Sequence, residues 1–138
     1  MLPFSISLKP GVPLYQQVIY AVTRAVVTGQ LRAGDPFPSV RALSQELKIN
    51  PNTAHKIVAS LVEDGLLEVR PGIGTVVGEG RQATATARRL LLEQDAERLV
   101  VDASRAGLSL QDVVAAIRRH WARTIEKVTR DAKGGSLR

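Results

Sequence analysis

A chain of 138 residues, 44% hydrophobic and 23% charged, can bury the core of one domain, or of one small domain with an appendage; aromatics are only 4%, so that core is mainly Val, Leu, Ile and Ala. With no cysteine, disulfides, thiolate chemistry and Cys-based zinc sites are excluded. The net charge of +6 is uneven, since residues 1–80 hold seven Lys/Arg against six Asp/Glu and residues 81–138 hold twelve against seven; this fits either a polyanionic partner or a solvated basic surface.

The start, Met1-Leu2-Pro3-Phe4-Ser5, lacks a signal-peptide pattern, and no apolar run approaches the roughly 20 residues of a membrane span. Cytoplasmic residence, with no membrane partner, is the expectation.

In chain order, residues 5–12 read as extended, and Pro13 suits a helix start. Leu14, Val18, Val22 and Ala25 recur at helical spacing, and Gly29 ends that helix. Two prolines keep the linker 31–38 from being helical. Ser39 is a natural N-cap for a short helix with Val40, Leu43 and Leu47 on one face. Asn50 caps a third helix, with Pro51 at its first position. There Ala54, Ile57, Val58, Leu61 and Val62 form the buried stripe, and Asn52, His55, Lys56 and Ala59 lie opposite. Gly65 stops the helix; Leu66–Arg70 and Gly74–Val77 flank Pro71-Gly72-Ile73 as a hairpin. Three helices and a hairpin make the winged form of the helix-turn-helix, a fold whose recognition helix enters a DNA groove.

Gly78-Glu79-Gly80 reads as a hinge. A helix over about 84–105 carries Leu92, Ala96, Leu99 and Ala103 on one stripe, and Gly107 breaks it. Ser109 with Asp112 resembles a capping box for a last helix with Leu110, Val113, Val114, Ile117, Trp121, Ile125 and Val128 at helical spacing. The expected organisation is a mostly α chain with a small β-hairpin. A winged helix-turn-helix over 1–78 precedes an antiparallel two-helix dimerisation region over 81–130, and a tail over 131–138 frays.

The motifs Gly11-Val12-Pro13-Leu14-Tyr15-Gln16-Gln17, Gly34-Asp35, Pro38-Ser39-Val40-Arg41, Asn50-Pro51-Asn52-Thr53, Glu63-Asp64-Gly65-Leu66-Leu67 and Gly72-Ile73-Gly74-Thr75 together resemble the GntR family of bacterial transcription regulators over about 11–77. The short C-terminal part resembles the YtrA subfamily, whose two C-terminal helices dimerise. The resemblance implies DNA contacts at Arg41, Asn50, Asn52, Thr53, His55 and Lys56, with Gly72 on the wing; Ser39 and the wing cation Arg70 are grouped with them as candidate DNA contacts. It also implies a homodimeric repressor of a transporter-type operon. Three residues depart from the family pattern: Lys48 stands where many members have Gly, His55 where some have Arg, and Pro71 with Ile73 where polar or basic residues are common. If the turn needs a positive φ, Lys48 is strained there.

Each residue has a plainer reading beside this one. Arg41 also fits any helix surface, and Asn50 fits a cap and nothing more. The cluster Arg118, Arg119, Arg123, Lys127, Arg130 and Lys133 fits a solvated helix face, or long-range attraction of DNA or an acidic partner. Neither His55 nor His120 has a second ligand at chelating spacing, so no metal is expected. No phosphate loop, Ser-centred nucleophile or other catalytic motif occurs, so neither an enzyme nor a cofactor is expected.

Two amphipathic helices cannot hide their apolar stripes against one another alone. A second copy completes a four-helix core, which makes Leu92, Leu99, Leu110, Val114, Ile117, Trp121 and Ile125 the expected dimerisation residues. The expected partners are a double-stranded, palindromic DNA operator, a second copy of the chain, and a small-molecule effector of unknown identity bound where residues 78–80 meet the C-terminal helices. The alternative is a winged-helix protein-interaction module without specific DNA binding.

Overall fold

Local chemistry sets the helix ends of the first half of the chain. In a computed structural model, which describes residues 2–79 and 85–126, Pro13 precedes α1 (Leu14–Val27). Gln17 fixes the entry. Its Nε2 donates to the carbonyls of Lys9 (2.9 Å) and Val12 (2.8 Å), and its Oε1 accepts from Lys9 N–H (2.7 Å). The Gln17 amide thus pairs with the Lys9 backbone much as a neighbouring strand would. Residues 5–9 belong to no sheet, and 10–12 turn, which corrects the extended reading of 5–12 at its last three residues.

Two further helices, α2 (Val40–Leu47) and α3 (Pro51–Glu63), follow; then come β1 (Leu67–Arg70) and β2 (Gly74–Val77), antiparallel with Leu67 opposite Val77 and Arg70 opposite Gly74. The segment before α2 joins this hairpin. Gly34 N–H donates to Val77 O (2.8 Å), Val77 N–H to Asp35 O (2.8 Å) and Phe37 N–H to Thr75 O (2.9 Å), flanking a bridge between Pro36 and Val76. Pro36, which has no N–H to donate, sits at the outer edge, where a ladder tolerates it.

The core gathers Val18 and Val22 of α1, Leu43 of α2, Ile57 and Leu61 of α3, and Leu67 and Val77 of the hairpin, all with side chains fully buried. Burial of each is worth about 1.5–3 kcal/mol. Phe4 and Phe37 stack at 5.8 Å with ring planes 3° apart, so the N-terminal arm closes one side of this core.

The described residues divide into two compact units between positions 81 and 82. In the second, α4 (Ala85–Leu90), a π-helical segment (Leu91–Asp95) and α5 (Ala96–Arg105) follow without a break, since Leu90, Asp95 and Ala96 all keep right-handed helical dihedrals. After a turn comes α6 (Leu110–Trp121), continued by a second π-helical segment (Ala122–Glu126). Uninterrupted α spacing through 84–105 and through Ile125 is therefore corrected. A π turn closes on i→i+5 bonds and holds more residues than an α turn, so a stripe counted in threes and fours slips where it crosses one. The cap of α6 is as expected: Ser109 Oγ accepts from Asp112 N–H (3.1 Å), and Asp112 Oδ2 accepts from Ser109 N–H (2.8 Å). Gly80 of the expected hinge, Lys127, Val128, Arg130, Lys133 and the tail 131–138 lie outside the described residues. Among the described residues, no helix is long and apolar enough to cross a membrane.

Candidate nucleic-acid interface

The turn between α2 and α3 is built by two caps and one strained residue. Ser39 Oγ accepts from Ala42 N–H (3.1 Å), which starts α2. Lys48 ends it in the left-handed conformation, φ 55° and ψ 49°, the one non-glycine with positive φ among the described residues. Ile49 N–H then donates to Ser44 O (3.0 Å). The next residue, Asn50, accepts at its Oδ1 from Asn52 N–H (2.8 Å), with Pro51 in the first turn of α3.

These caps start two successive helices, and neither first turn contains an acidic residue. Free N–H groups and the helix dipole there favour an anion such as a phosphate. On α3 the core face is Ala54, Ile57, Val58 and Leu61, and Asn52, His55, Lys56 and Ala59 are exposed. Thr53 is half-buried, and Arg41 is exposed near the start of α2. The structure therefore brings Asn52, His55 and Lys56 onto one solvent face. Asn50 Oδ1 is occupied by its cap, which leaves its amide nitrogen for any further contact. The Ser39 oxygen likewise serves as a cap.

The wing has two unlike faces. Residues directly opposite in an antiparallel pair share a face, and the face alternates along each strand. Leu67 and Val77 point into the core, so Val69 and Thr75 continue that side beyond its edge, and Val69 is 60% exposed. Arg70 lies on the other side with Glu68, their charged groups 3.8 Å apart and both half-exposed. An exposed pair of this kind is worth about 0–1 kcal/mol, so either partner gives it up easily. At the tip, Ile73 N–H donates to Arg70 O (3.1 Å), with Pro71 and then Gly72 (φ 77°) between them. This is the type II arrangement, where the second central residue must take positive φ. Ile73 is 73% exposed. Val69 escaped the sequence reading because it has the residue type of a core strand; only the register shows that it overhangs.

In the second unit Ala103 is the one buried residue among 85–126. Leu99 and Ile117 line a cleft of about 680 Å3 between α5 and α6, together with Val113, Ala116 and His120. Leu92, Leu110 and Trp121 are exposed outside it, and Val114 and Ile125 are half-buried. Of the expected dimerisation residues, the cleft thus takes only Leu99 and Ile117, and the other five lie outside it, exposed or half-buried. No group of three or more metal-ligating side chains occurs among the described residues.

Residues 14–77 match the profile of the bacterial regulatory proteins of the gntR family. Over 128 residues, 92% of each chain, the protein is 29% identical to the HTH-type transcriptional repressor YtrA of Bacillus subtilis (strain 168). Its fold is similar to that of a transcriptional antiterminator from Listeria monocytogenes EGD-e, with a TM-score of 0.74 over 88% of this chain and 92% of that one at 20% identity. It is also similar to a GntR family transcriptional regulator from Listeria monocytogenes, with a TM-score of 0.60 over 81% and 98% of the two chains at 25% identity. Residues 14–77, which hold the capped α2–α3 pair and its wing, are thus a helix-turn-helix domain of the type found in the gntR family of bacterial regulatory proteins.

Proposed function

We propose that the protein is a sequence-specific DNA-binding repressor of transcription that works as a homodimer. The division of α3 carries the reading: a fully apolar face locks it into the core, and Asn52, His55 and Lys56 are left exposed behind an N-terminus without acidic residues. An exposed amide, imidazole and ammonium at the start of a helix can hydrogen-bond base edges and phosphates in a major groove. Arg41, Ser39 and Asn50 add backbone-positioning contacts. The similarity to a named repressor supports repression.

The unburied apolar residues of α5 and α6 support the dimer. A second copy covering Leu110, Ile117 and Trp121 removes them from water, and a two-fold axis pairs the recognition helices. The operator is then palindromic, with half-sites one helical turn (roughly 34–36 Å) apart or a multiple of that. A small-molecule effector that changes the spacing of the helices releases the operator, and a thermal-shift screen with metabolites identifies it. The genes of a transporter-type operon are the first source of operator DNA to try.

Selection of bound duplexes from random DNA, followed by anisotropy titration at several salt concentrations, tests the reading. The expected result is a palindromic consensus, affinity that falls with salt, and a loss of about 5- to 150-fold in Asn52→Ala and in Arg41→Ala. No enriched sequence, or normal affinity in both variants, overturns it in favour of a protein-docking module. Sedimentation of Ile117→Glu tests the dimer: the variant is expected to be monomeric where the wild type is not.

A further inference from the structure

We infer that the wing meets DNA with an apolar tip that reads the minor groove through its shape and flexibility, and that Ile73 is the wedge. The inference rests on the DNA-binding reading above and concerns a contact that it does not assign. With α3 in the major groove, the nearest neighbouring groove is the minor one. Only Asp64, Gly65 and Leu66 separate α3 from β1, and Leu67 packs in the same core as Ile57 and Leu61, so the hairpin stays beside the recognition helix. From Leu67 to the tip the wing extends roughly 10 Å beyond the core, at 3.3 Å per residue, enough to reach into a groove roughly 7.5 Å deep.

The chemistry offered there is apolar. Pro71 and Ile73 carry no hydrogen-bonding side chain, and Val69 continues the uncharged face. The wing's cation, Arg70, is on the other face beside Glu68, 3.8 Å away. With no charged or hydrogen-bonding side chain at Pro71, Gly72 or Ile73, the tip has no side-chain means of telling A·T from G·C by hydrogen bonds. The tip is also stiff. Pro71 fixes one φ, the bond from Ile73 N–H to Arg70 O closes the turn, and a β-branched side chain has few rotamers to lose. Rigid apolar side chains of this kind part base steps and bend a duplex toward the major groove, most readily at flexible pyrimidine–purine steps.

The test uses the full chain and the duplexes it selects from random DNA, with bending read by energy transfer between end labels. The wild type is expected to bend its DNA and to enrich TA or CA/TG steps where no base is read from the major groove. Ile73→Ala is expected to bind about tenfold more weakly, with an unchanged salt slope, a smaller bend and loss of the step preference. Ile73→Lys is expected to steepen the salt slope and still lose the bend. Since Ile73 is exposed, unchanged circular dichroism and melting in both variants keep the comparison clean. Wild-type bending, affinity and step preference in Ile73→Ala, or a retained bend in Ile73→Lys, overturn the wedge while leaving DNA binding intact. Failure of the wild type to enrich any duplex overturns both.

Discussion

The carbonyl oxygen of Gly65 lies 2.6 Å from the point where a Cβ on Gly78 would stand. Backbone meets backbone there, and Gly78 N–H donating to Leu66 O (2.9 Å) holds the approach. The end of the wing is thus tied to the end of α3 through two residues without side chains. Gly78→Ala is expected to destabilise the winged unit by about 1–3 kcal/mol, because no flexible side chain is present to give way. Urea unfolding followed by far-UV dichroism measures it, and a loss of under a few tenths shows that the two backbones are free to part.

Lys48 is held at φ 55°. A side chain in that region costs roughly 1–2 kcal/mol, of which a glycine recovers part and gives back about 0.5–1 in chain entropy. Lys48→Gly is expected to stabilise slightly, by up to about 1 kcal/mol, and Lys48→Val to destabilise. Melting temperatures that rank the three the other way refute the assignment of strain to this turn.

Asn50 is a cap by geometry and a DNA contact by proposal, and one substitution separates the two roles. Asn50→Asp keeps the cap oxygen and adds charge at a helix N-terminus, where it is favourable. Stability is expected to hold, whereas Asn50→Ala costs about 1 kcal/mol. Operator affinity is expected to fall in the Asp variant through repulsion of phosphate. Equal affinity for wild type and Asn50→Asp, measured by anisotropy, removes Asn50 from the interface.

Asp112 titrates below its ordinary value of 3.8, because the backbone N–H of Ser109 and then its side chain favour the carboxylate. A folded-state value below the unfolded one contributes stability that is present above the unfolded value and lost as pH falls through the folded one. The start of α6 is therefore expected to loosen in acid below about pH 4. Asp112→Asn is expected to begin less helical at neutral pH and to lose less on acidification. Dichroism from pH 6 to pH 2 compares them; parallel curves show that the capping box does not carry the change.

Features written in local chemistry were legible in the sequence. Ser39, the pair Asn50-Pro51, Gly65 and the box Ser109–Asp112 mark helix ends with residues whose side chains or missing atoms do the work on the spot. The core and solvent faces of α3 follow from spacing alone. The left-handed turn at Lys48 came only from resemblance, since nothing in lysine announces it. Contacts between distant segments were not legible. Pro36 beside Val76 and Phe4 on Phe37 join residues about 40 and 33 apart, and neither pattern repeats with any period. The π-helical segments left no mark either, because Leu90, Leu91 and Leu92 in a row suit an α-helix as well as a π turn. Arg70 was grouped with the DNA contacts by type; the strand register sets it on the other side of the wing from Val69.

The stack of Phe4 on Phe37 means that the segment matching the family profile and the folding segment have different edges. The profile match starts at Leu14, but the hydrophobic interior starts ten residues earlier. A fragment cut at the family boundary keeps every residue proposed to touch DNA and leaves the Phe37 ring facing water. An affinity tag or reporter joined directly before Phe4 competes with the recognition domain's own interior for the Phe37 ring.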